Sequence, residues 1–182
     1  LRLADRLAAD AETLRIAVSQ DPGGARVLDC GVRTDGGLAA GLGMARVCLA
    51  DLADVGLLPP GIADLPCPLV QVATDHPVLA CMASQYAGWQ ISVGKFFAMG
   101  SGPMRAAHGK EALFDHIPGR ERPAAAVGVL ETRKPPTPEV TTHLAEKLQL
   151  PPERLTLLIA PTASIAGTVQ VVARALETAL HK

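Results

Sequence analysis

Short apolar segments alternate with helical patterns along the whole chain, and this alternation limits the possible folds more than any other feature. Four segments have the length and turn-flanked boundaries of buried strands, at residues 25–32, 68–74, 124–131 and 154–162. A chain with this order of elements packs helices on a sheet, because both must bury their apolar faces. The sequence therefore predicts an α+β fold in which helices lie on mixed sheets, and it leaves parallel or antiparallel pairing open.

Helical patterns mark six further segments around these strands. Apolar residues recur at helical spacing in the first two and in the fifth, where Val140, Leu144 and Leu148 share one face, and a proline suits the first turn of others. The predicted helices are 3–18, 38–52, a helix from Pro77, a helix from about Pro103, 138–148 with Thr137 as its N-cap, and a closing helix from about Gly167 to Lys182. The chain is thus predicted to open and close on a helix.

Composition argues against several classes of protein. Hydrophobic residues make up 48% of the chain but aromatic residues only 3%, so the core must be aliphatic. A formal net charge of −1 argues against a nucleic-acid-binding surface, which needs clustered lysine and arginine. No apolar run is long enough to cross a bilayer, and the acidic, helical N-terminus does not resemble a secretory signal. We therefore expect a cytoplasmic protein with no nucleic-acid or membrane partner.

The cysteines and histidines show no metal-binding spacing. The four cysteines lie in apolar surroundings without a C-x-x-C pair, and the five histidines form no H-E-x-x-H motif. Reduced, buried thiols are typical of a cytoplasmic protein. We therefore expect no metal in this protein.

Two glycine-rich segments invite functional interpretations. In "GGLAAGLG", the glycines at 37, 41 and 43 do not have the G-x-G-x-x-G spacing of a dinucleotide-binding turn, so close packing of a helix on the sheet explains them better. In "GSGP" (100–103), two glycines flank Ser101 before a predicted helix. Backbone N–H groups at such a helix start can hold an anion or a carbonyl oxygen, and Arg105 would lie in the first turn. A plain tight turn is the other interpretation.

The closing helix has an unusually narrow polar stripe. On a helical wheel the residues of the segment 169–181 are apolar or small except for one line of residues, at i, i+4, i+7 and i+11: Gln170, Arg174, Glu177 and His181. Charged side chains in an otherwise apolar helix need ion-pair partners or a functional role, because desolvating an ion costs several kcal/mol. Two interpretations remain: a structural Arg174–Glu177 ion pair, or a stripe that lines a pocket. The approach "APTASIAGT" (160–168), which follows a strand end, favours the pocket.

Three segments resemble the methenyltetrahydromethanopterin cyclohydrolase family. They are "DHPVLACMASQYAGW" (75–89), "FFAMGSGPMRAA" (96–107) and "APTASIAGTVQVVARALETALHK" (160–182), and the resemblance continues through essentially the whole chain. It implies an enzyme of one-carbon metabolism, of methanogens or methylotrophic bacteria, that hydrolyses methenyl-tetrahydromethanopterin to formyl-tetrahydromethanopterin without a metal or redox cofactor. It also implies a cytoplasmic homotrimer whose subunits have two α+β domains with the pterin bound in the cleft between them.

The resemblance also implies site residues. The catalytic arginine and glutamate of the family lie three positions apart on a helix, and they match Arg174 and Glu177. We expect Glu177 to act as the general base, with Arg174 as its partner. Further candidates for binding the substrate, some flanking this pair and some in the glycine segment, are Gln170, His181, Gly100, Ser101, Gly102 and Arg105, the last for an acidic tail.

Two departures from the family accompany this resemblance. Family sequences continue well past the position of Lys182, so the chain is expected to be the N-terminal portion of a two-domain cyclohydrolase. Met104 stands where the family usually has a smaller residue. The alternative function is therefore a truncated, non-catalytic relative that binds pterin or assembles with other chains. A nicotinamide-dependent enzyme is disfavoured by the glycine spacing.

Overall fold

A mixed six-stranded sheet forms the centre of the structure, a computed structural model that describes residues 1–61 and 66–181. The strands are β1 (Ala17–Gln20), β2 (Arg26–Asp29), β3 (Asp54–Leu58), β4 (Leu69–Ala73), β5 (Trp89–Val93), β6 (Phe96–Ser101), β7 (Ala126–Glu131) and β8 (Leu155–Ala160). The sheet order is β1-β2-β8-β7-β6-β5, and β3 and β4 form a separate antiparallel pair. Strands β2, β8 and β7 are parallel, whereas the other neighbours are antiparallel.

Helices surround this sheet, which confirms the predicted α+β class with helices on mixed sheets. The α-helices are α1 (Arg2–Ala9), α2 (Ala11–Leu14), α3 (Leu38–Cys48), α4 (Pro103–His108), α5 (Pro138–Leu148), α6 (Ile165–Val172) and α7 (Ala175–His181). A π-helix covers Val78–Gln85, and short 3₁₀ helices cover Ala112–Asp115 and Pro152–Arg154. In the described ranges, no helix combines the length and the apolar character needed to span a membrane.

Both faces of the central strands β7 and β8 are covered. Alternate residues of a strand point in opposite directions, so the two faces contribute to different cores. Every residue of β8 is buried. On one face, Leu155, Leu157 and Ile159 belong to a core that includes Val140 and Leu144 of α5. The opposite face of β7 and β8 forms a second core with α1, α3 and α6. The central strands are therefore apolar on both sides, and the strands predicted within 124–131 and 154–162 are confirmed.

Three predictions about local structure were wrong or incomplete. Val18, predicted in the first helix, lies in β1, because α2 ends where Arg15 adopts a left-handed backbone with φ of 54°. Gly100 and Ser101, for which a tight turn was one interpretation, belong to β6, and of the residues 100–102 only Gly102 has the positive φ (86°) of a turn. Strands β3, β5 and β6 were not predicted, although β5 has the alternating burial of a strand with one exposed face.

Gly41 allows helix α3 to lie directly against α6. A β-carbon at this position would lie 2.7 Å from the Val169 Cβ and 3.0 Å from the Ala166 backbone, closer than side chains normally pack. A β-carbon on Gly43 would similarly lie 2.5 Å from Leu7 of α1. Close packing is confirmed as the role of these glycines, but their partners are helices and not the sheet.

Met104 of α4 is fully buried against two glycines. A β-carbon on Gly128 of β7 would overlap its sulfur, and one on Gly100 would lie 3.0 Å from its terminal methyl group. The long side chain therefore fits here because both strand positions opposite it lack a side chain.

The closing helix is interrupted, so the prediction of one continuous helix was wrong. Ala173 and Arg174 form a turn between α6 and α7. Helix α6 begins after Ser164, whose Oγ accepts a hydrogen bond from the Gly167 backbone N–H at 3.1 Å. Lys182, the predicted end of the helix, lies outside the described residues. Arg174 nevertheless keeps a contact with Gln170, four residues earlier, across the interruption.

Candidate active site

A polar cluster lies between the end of β7 and the turn that joins α6 to α7. Glu131 is the last residue of β7 and shares a face with Val129, which packs in the core beneath α3 and α6. That face directs its carboxylate to Arg174 in the turn. Gln170 is fully buried, and Glu177 is only 4% exposed. Three of the four residues of the predicted stripe therefore lie in or beside one largely buried cluster.

Arg174 has one ion-pair partner and one hydrogen-bond acceptor. Its Nη2 pairs with Glu131 Oε1 and donates a hydrogen bond to Gln170 Oε1 at 3.2 Å. The Arg174 and Glu131 side chains are 12% and 14% exposed, so solvent screens their attraction weakly. The direct Arg174–Glu177 ion pair suggested by the sequence is not found among the described residues, where Arg174 pairs across the fold with β7.

Glu177 has a buried carboxyl with unused hydrogen-bonding capacity. Its Oε1 is buried and has no hydrogen-bond partner within the described ranges. Burial raises the pKa of this carboxyl above its ordinary value, and Arg174, His181 and Arg105 oppose the rise. A carboxyl with a raised pKa and a free oxygen is suited to exchange a proton with a bound molecule.

Gln170 connects Arg174 to a second buried polar group. Its Nε2 donates to Cys48 Sγ at 3.4 Å, and that sulfur lies 3.1 Å from Ser101 Oγ. Ser84 Oγ donates to the Cys48 carbonyl at 2.8 Å. Burial raises the pKa of the Cys48 thiol, so the thiol stays protonated at neutral pH. These contacts fix the orientation of the Gln170 amide, and they do not provide a nucleophilic thiolate.

The glycine segment contributes to this cluster through one residue. Ser101 is fully buried and reaches Gln170 through Cys48. Gly100 faces the opposite side of the sheet, where a β-carbon would lie 2.7 Å from Ile91. Gly102 is buried at the start of α4. Substrate binding by these three residues stays a prediction.

Arg105 is bound within the protein and is completely buried. Its Nε and Nη2 donate to the two carboxylate oxygens of Glu111, both at 2.7 Å. Its Nη1 donates to the carbonyl of Ala83 at 2.9 Å and to that of Met82. These bonds use four of the five guanidinium N–H groups. Binding of an acidic substrate tail by Arg105 stays a prediction that these contacts do not favour.

His181 attaches the end of α7 to the segment after the π-helix. Its ring stacks on Tyr86 with 4.6 Å between centroids and 13° between planes. The guanidinium carbon of Arg105 lies 4.7 Å from the centroid of the same Tyr86 ring. His181 is exposed, so it remains accessible for the predicted role beside Glu177.

Gln85 is a candidate that the sequence analysis missed. It is completely buried at the end of the π-helix, and neither its Nε2 nor its Oε1 has a partner in the part of the chain that the structure describes. Buried amides normally form hydrogen bonds, and π-helical turns are frequent at functional sites. Helical periodicity gives no signal for a π-helix, so only the structure identifies this residue.

Glu131 also borders an open cleft at the carboxyl ends of β7 and β8. The cleft has a volume of about 380 Å³, and Glu131, Thr132 and Thr162 line it where these parallel strands end. Ligands often bind at this edge of a sheet. The sequence signal for Glu131 was a single acid at the end of an apolar strand, which acquires meaning only once the strands are known to be parallel.

The fold and the cluster define an α+β protein with a buried glutamate beside an anchored arginine, an arrangement suited to proton transfer on a small molecule. The chain matches, over residues 1–182, the family described as Cyclohydrolase (MCH). It is 49% identical over 172 residues to methenyltetrahydromethanopterin cyclohydrolase of Methanosarcina barkeri, a match that covers 94% of this chain and 54% of that protein. The protein of the same name from Xanthobacter autotrophicus is 46% identical over 180 residues, covering 99% and 53%.

A third relative of that name, from Rhodopirellula baltica, is 51% identical over 163 residues, which cover 87% of this chain and 49% of that protein. The chain therefore belongs to the methenyltetrahydromethanopterin cyclohydrolase family, and the resemblance stated from its sequence is confirmed. The chain spans about half the length of the curated relatives it matches.

Proposed function

We propose that this chain carries the catalytic carboxylate of an enzyme that hydrolyses methenyl-tetrahydromethanopterin to formyl-tetrahydromethanopterin. The observation that carries the proposal is Glu177, whose carboxyl is buried, has a raised pKa and keeps one oxygen without a protein partner among the described residues. Relatives named for this activity, at 43–51% identity, support the assignment of the substrate.

The hydrolysis requires little from the protein beyond a general base close to the methenyl carbon. The methenyl carbon bridges two nitrogens and carries cationic character, so it is already electrophilic. Water adds to this carbon while Glu177 accepts one of its protons. The adduct then loses its remaining hydroxyl proton, one C–N bond breaks, and the departing nitrogen is protonated, so that hydrolysis releases one proton overall. General-base assistance of this kind contributes about a hundred- to ten-thousand-fold to the rate.

Neighbouring residues set the properties of this base. Arg174 opposes the rise in the pKa of Glu177 and so favours the ionised form of its carboxyl. Gln170, fixed between Arg174 and Cys48, and His181, stacked on Tyr86, are proposed to orient water or the pterin. A negative carboxylate beside a cationic substrate also stabilises the bound ground state and the first transition state.

The test is a spectroscopic hydrolysis assay of the full-length protein and of Glu177→Gln. The variant keeps the shape of the side chain but cannot accept a proton, so kcat should fall by about two to four orders of magnitude. KM should rise as well, because the neutral amide no longer attracts the cationic substrate. Glu146→Gln, the same change at an exposed position on α5, is the matched control and should keep normal turnover. Full turnover by folded Glu177→Gln would contradict the proposal.

The alternative, a non-catalytic relative that binds pterin or assembles with other chains, predicts pterin binding without turnover in the same assay. The family resemblance further predicts a homotrimer in the cytoplasm. Light scattering of the full-length protein measures the number of subunits, and cell fractionation measures the localisation.

A further inference from the structure

Glu131 occupies a position between the open cleft and Arg174. Its Oε1 pairs with Arg174 Nη2, while the residue itself lines the cleft at the ends of β7 and β8. Arg174 lies three residues before Glu177, yet it forms its ion pair with Glu131, which lies 43 positions earlier in the chain. The guanidinium of Arg174 neutralises the charge of the carboxylate with which it pairs, so its pairing decides whether Glu131 or Glu177 keeps an uncompensated charge.

The charge state of Glu177 depends on this choice. A guanidinium in direct contact lowers the pKa of a carboxyl by about 1 to 3. Burial instead raises the pKa of Glu177, with Arg174 opposing the rise but not pairing directly with it. The other groups facing Glu177 cannot readily replace Arg174, because two are held elsewhere and two are protonated thiols: Arg105 on Glu111, His181 on Tyr86, Cys48 and Cys81.

We infer that Glu131 is a positioning residue for the proposed hydrolysis. It binds Arg174 and so leaves the carboxylate of Glu177 unpaired, available to the water and to the cationic carbon of the substrate. Without this acid, Arg174 would turn to Glu177, the other carboxylate beside it, and neutralise the base. This inference rests on the proposed function for its catalytic consequence, whereas the effect on the Glu177 carboxyl is independent of turnover.

The experiment is a cycle of four full-length proteins: the native protein, Glu131→Gln, Arg174→Gln and the double variant. The titration of Glu177 is followed by carboxyl ¹³C NMR of glutamate-labelled protein, and its signal is assigned by its loss in Glu177→Gln. Glu131→Gln should lower the pKa of Glu177 by about 1, because Arg174 then contacts it. In the Arg174→Gln background, the same change should leave that pKa where Arg174→Gln alone puts it.

Two outcomes overturn the inference. One is an unchanged pKa of Glu177 in folded Glu131→Gln. The other is an equal fall in both backgrounds, since that would mean that Glu131 acts on Glu177 directly and not through Arg174. If Glu131→Gln does not fold, Glu131→Asp replaces it in the cycle, because it keeps the charge but withdraws the carboxylate by one methylene. Glu146→Gln should leave the titration unchanged.

Activity separates this inference from the proposed function. If Glu131 positions Arg174, the acid limb of the pH–rate profile of Glu131→Gln should move to lower pH and kcat should fall, since the weaker base assists less. If the NMR cycle behaves as expected but Glu177→Gln keeps full turnover, the positioning contact stands and the proposed role of Glu177 is wrong.

Discussion

Arg105 and Glu111 form a two-pronged ion pair inside the protein, with both N–O distances at 2.7 Å. The Arg105 side chain is completely buried and that of Glu111 is 24% exposed. The pair joins α4 to the segment that follows it, and Arg105 also binds the carbonyls of the π-helix and lies over Tyr86. This arginine therefore anchors the π-helix that carries Gln85.

Removing the acid of this pair should destabilise the protein. Glu111→Gln leaves a buried cation without its counter-charge, and we expect the free energy of unfolding to fall by about 3 kcal/mol, measured by urea denaturation. The control is Asp115→Asn, which breaks the Arg120–Asp115 pair, whose side chains are 54% and 63% exposed. An exposed pair contributes about 0–1 kcal/mol. Equal effects of the two changes would show that Arg105 does not depend on Glu111.

The contact between α3 and α6 should not tolerate a side chain at Gly41. Gly41→Ala would place its β-carbon 2.7 Å from Val169, so the helices must separate, and we expect a loss of about 1–3 kcal/mol in unfolding free energy. Gly56→Ala is the control, because no atom lies within 4 Å of its added β-carbon. That change should be neutral or stabilising by up to about 1 kcal/mol. A stable Gly41→Ala protein would mean that α6 can shift without cost.

Local patterns predicted those parts of the fold that depend on neighbours in sequence. Strand β7 and strand β8 were found from their apolar runs, and α5 from the spacing of Val140, Leu144 and Leu148. The same spacing failed at Val18, because periodicity cannot detect the left-handed residue that ends a helix. It failed again at Arg174, where a turn interrupts an otherwise good helical pattern.

The site could be predicted only in part for the same reason. Glu177, Arg174 and Gln170 lie in one segment, so their proximity follows from the sequence. The pairing of Arg174 with Glu131 depends on the parallel register of β7 and β8 and on the turn after α6. The buried amide of Gln85 depends on a π-helix, and this segment of 8 residues is too short for its apolar spacing to distinguish a π-helix from an α-helix.

Gln85 should matter for activity and not for stability. Gln85→Met removes a buried amide that has no partner in the described part of the chain, and an unsatisfied polar group costs about 1–3 kcal/mol. We therefore expect the melting temperature to stay the same or rise. If the amide binds substrate, kcat/KM should fall by about tenfold, the effect of one lost hydrogen bond.

Gln90→Met, at an exposed position of β5, is the matched control and should change neither measurement. A destabilised Gln85→Met protein with normal kcat/KM would mean that the amide has a structural partner in the folded protein.

The pH dependence of hydrolysis should report the carboxyl of Glu177. Only its ionised form accepts a proton, so kcat should rise with pH through a pKa above the ordinary value of 4.5, because burial raises it. Arg174 opposes that rise, so Arg174→Gln should move the acid limb to higher pH by about 1 unit. Stability should change in the opposite sense. A carboxyl whose pKa is raised by folding binds its proton more tightly in the folded state, so its stabilising contribution is present at low pH and is lost as pH rises through the folded pKa.

Glu177→Gln should remove both the acid limb and this change in stability, which distinguishes Glu177 from any other titrating group. The pH–rate profile and urea denaturation at a series of pH values provide the two measurements. An acid limb at or below pH 4.5, or one that Arg174→Gln moves to lower pH, would contradict the assignment of Glu177 as the base, because both the burial of this carboxyl and the charge of Arg174 require the opposite directions.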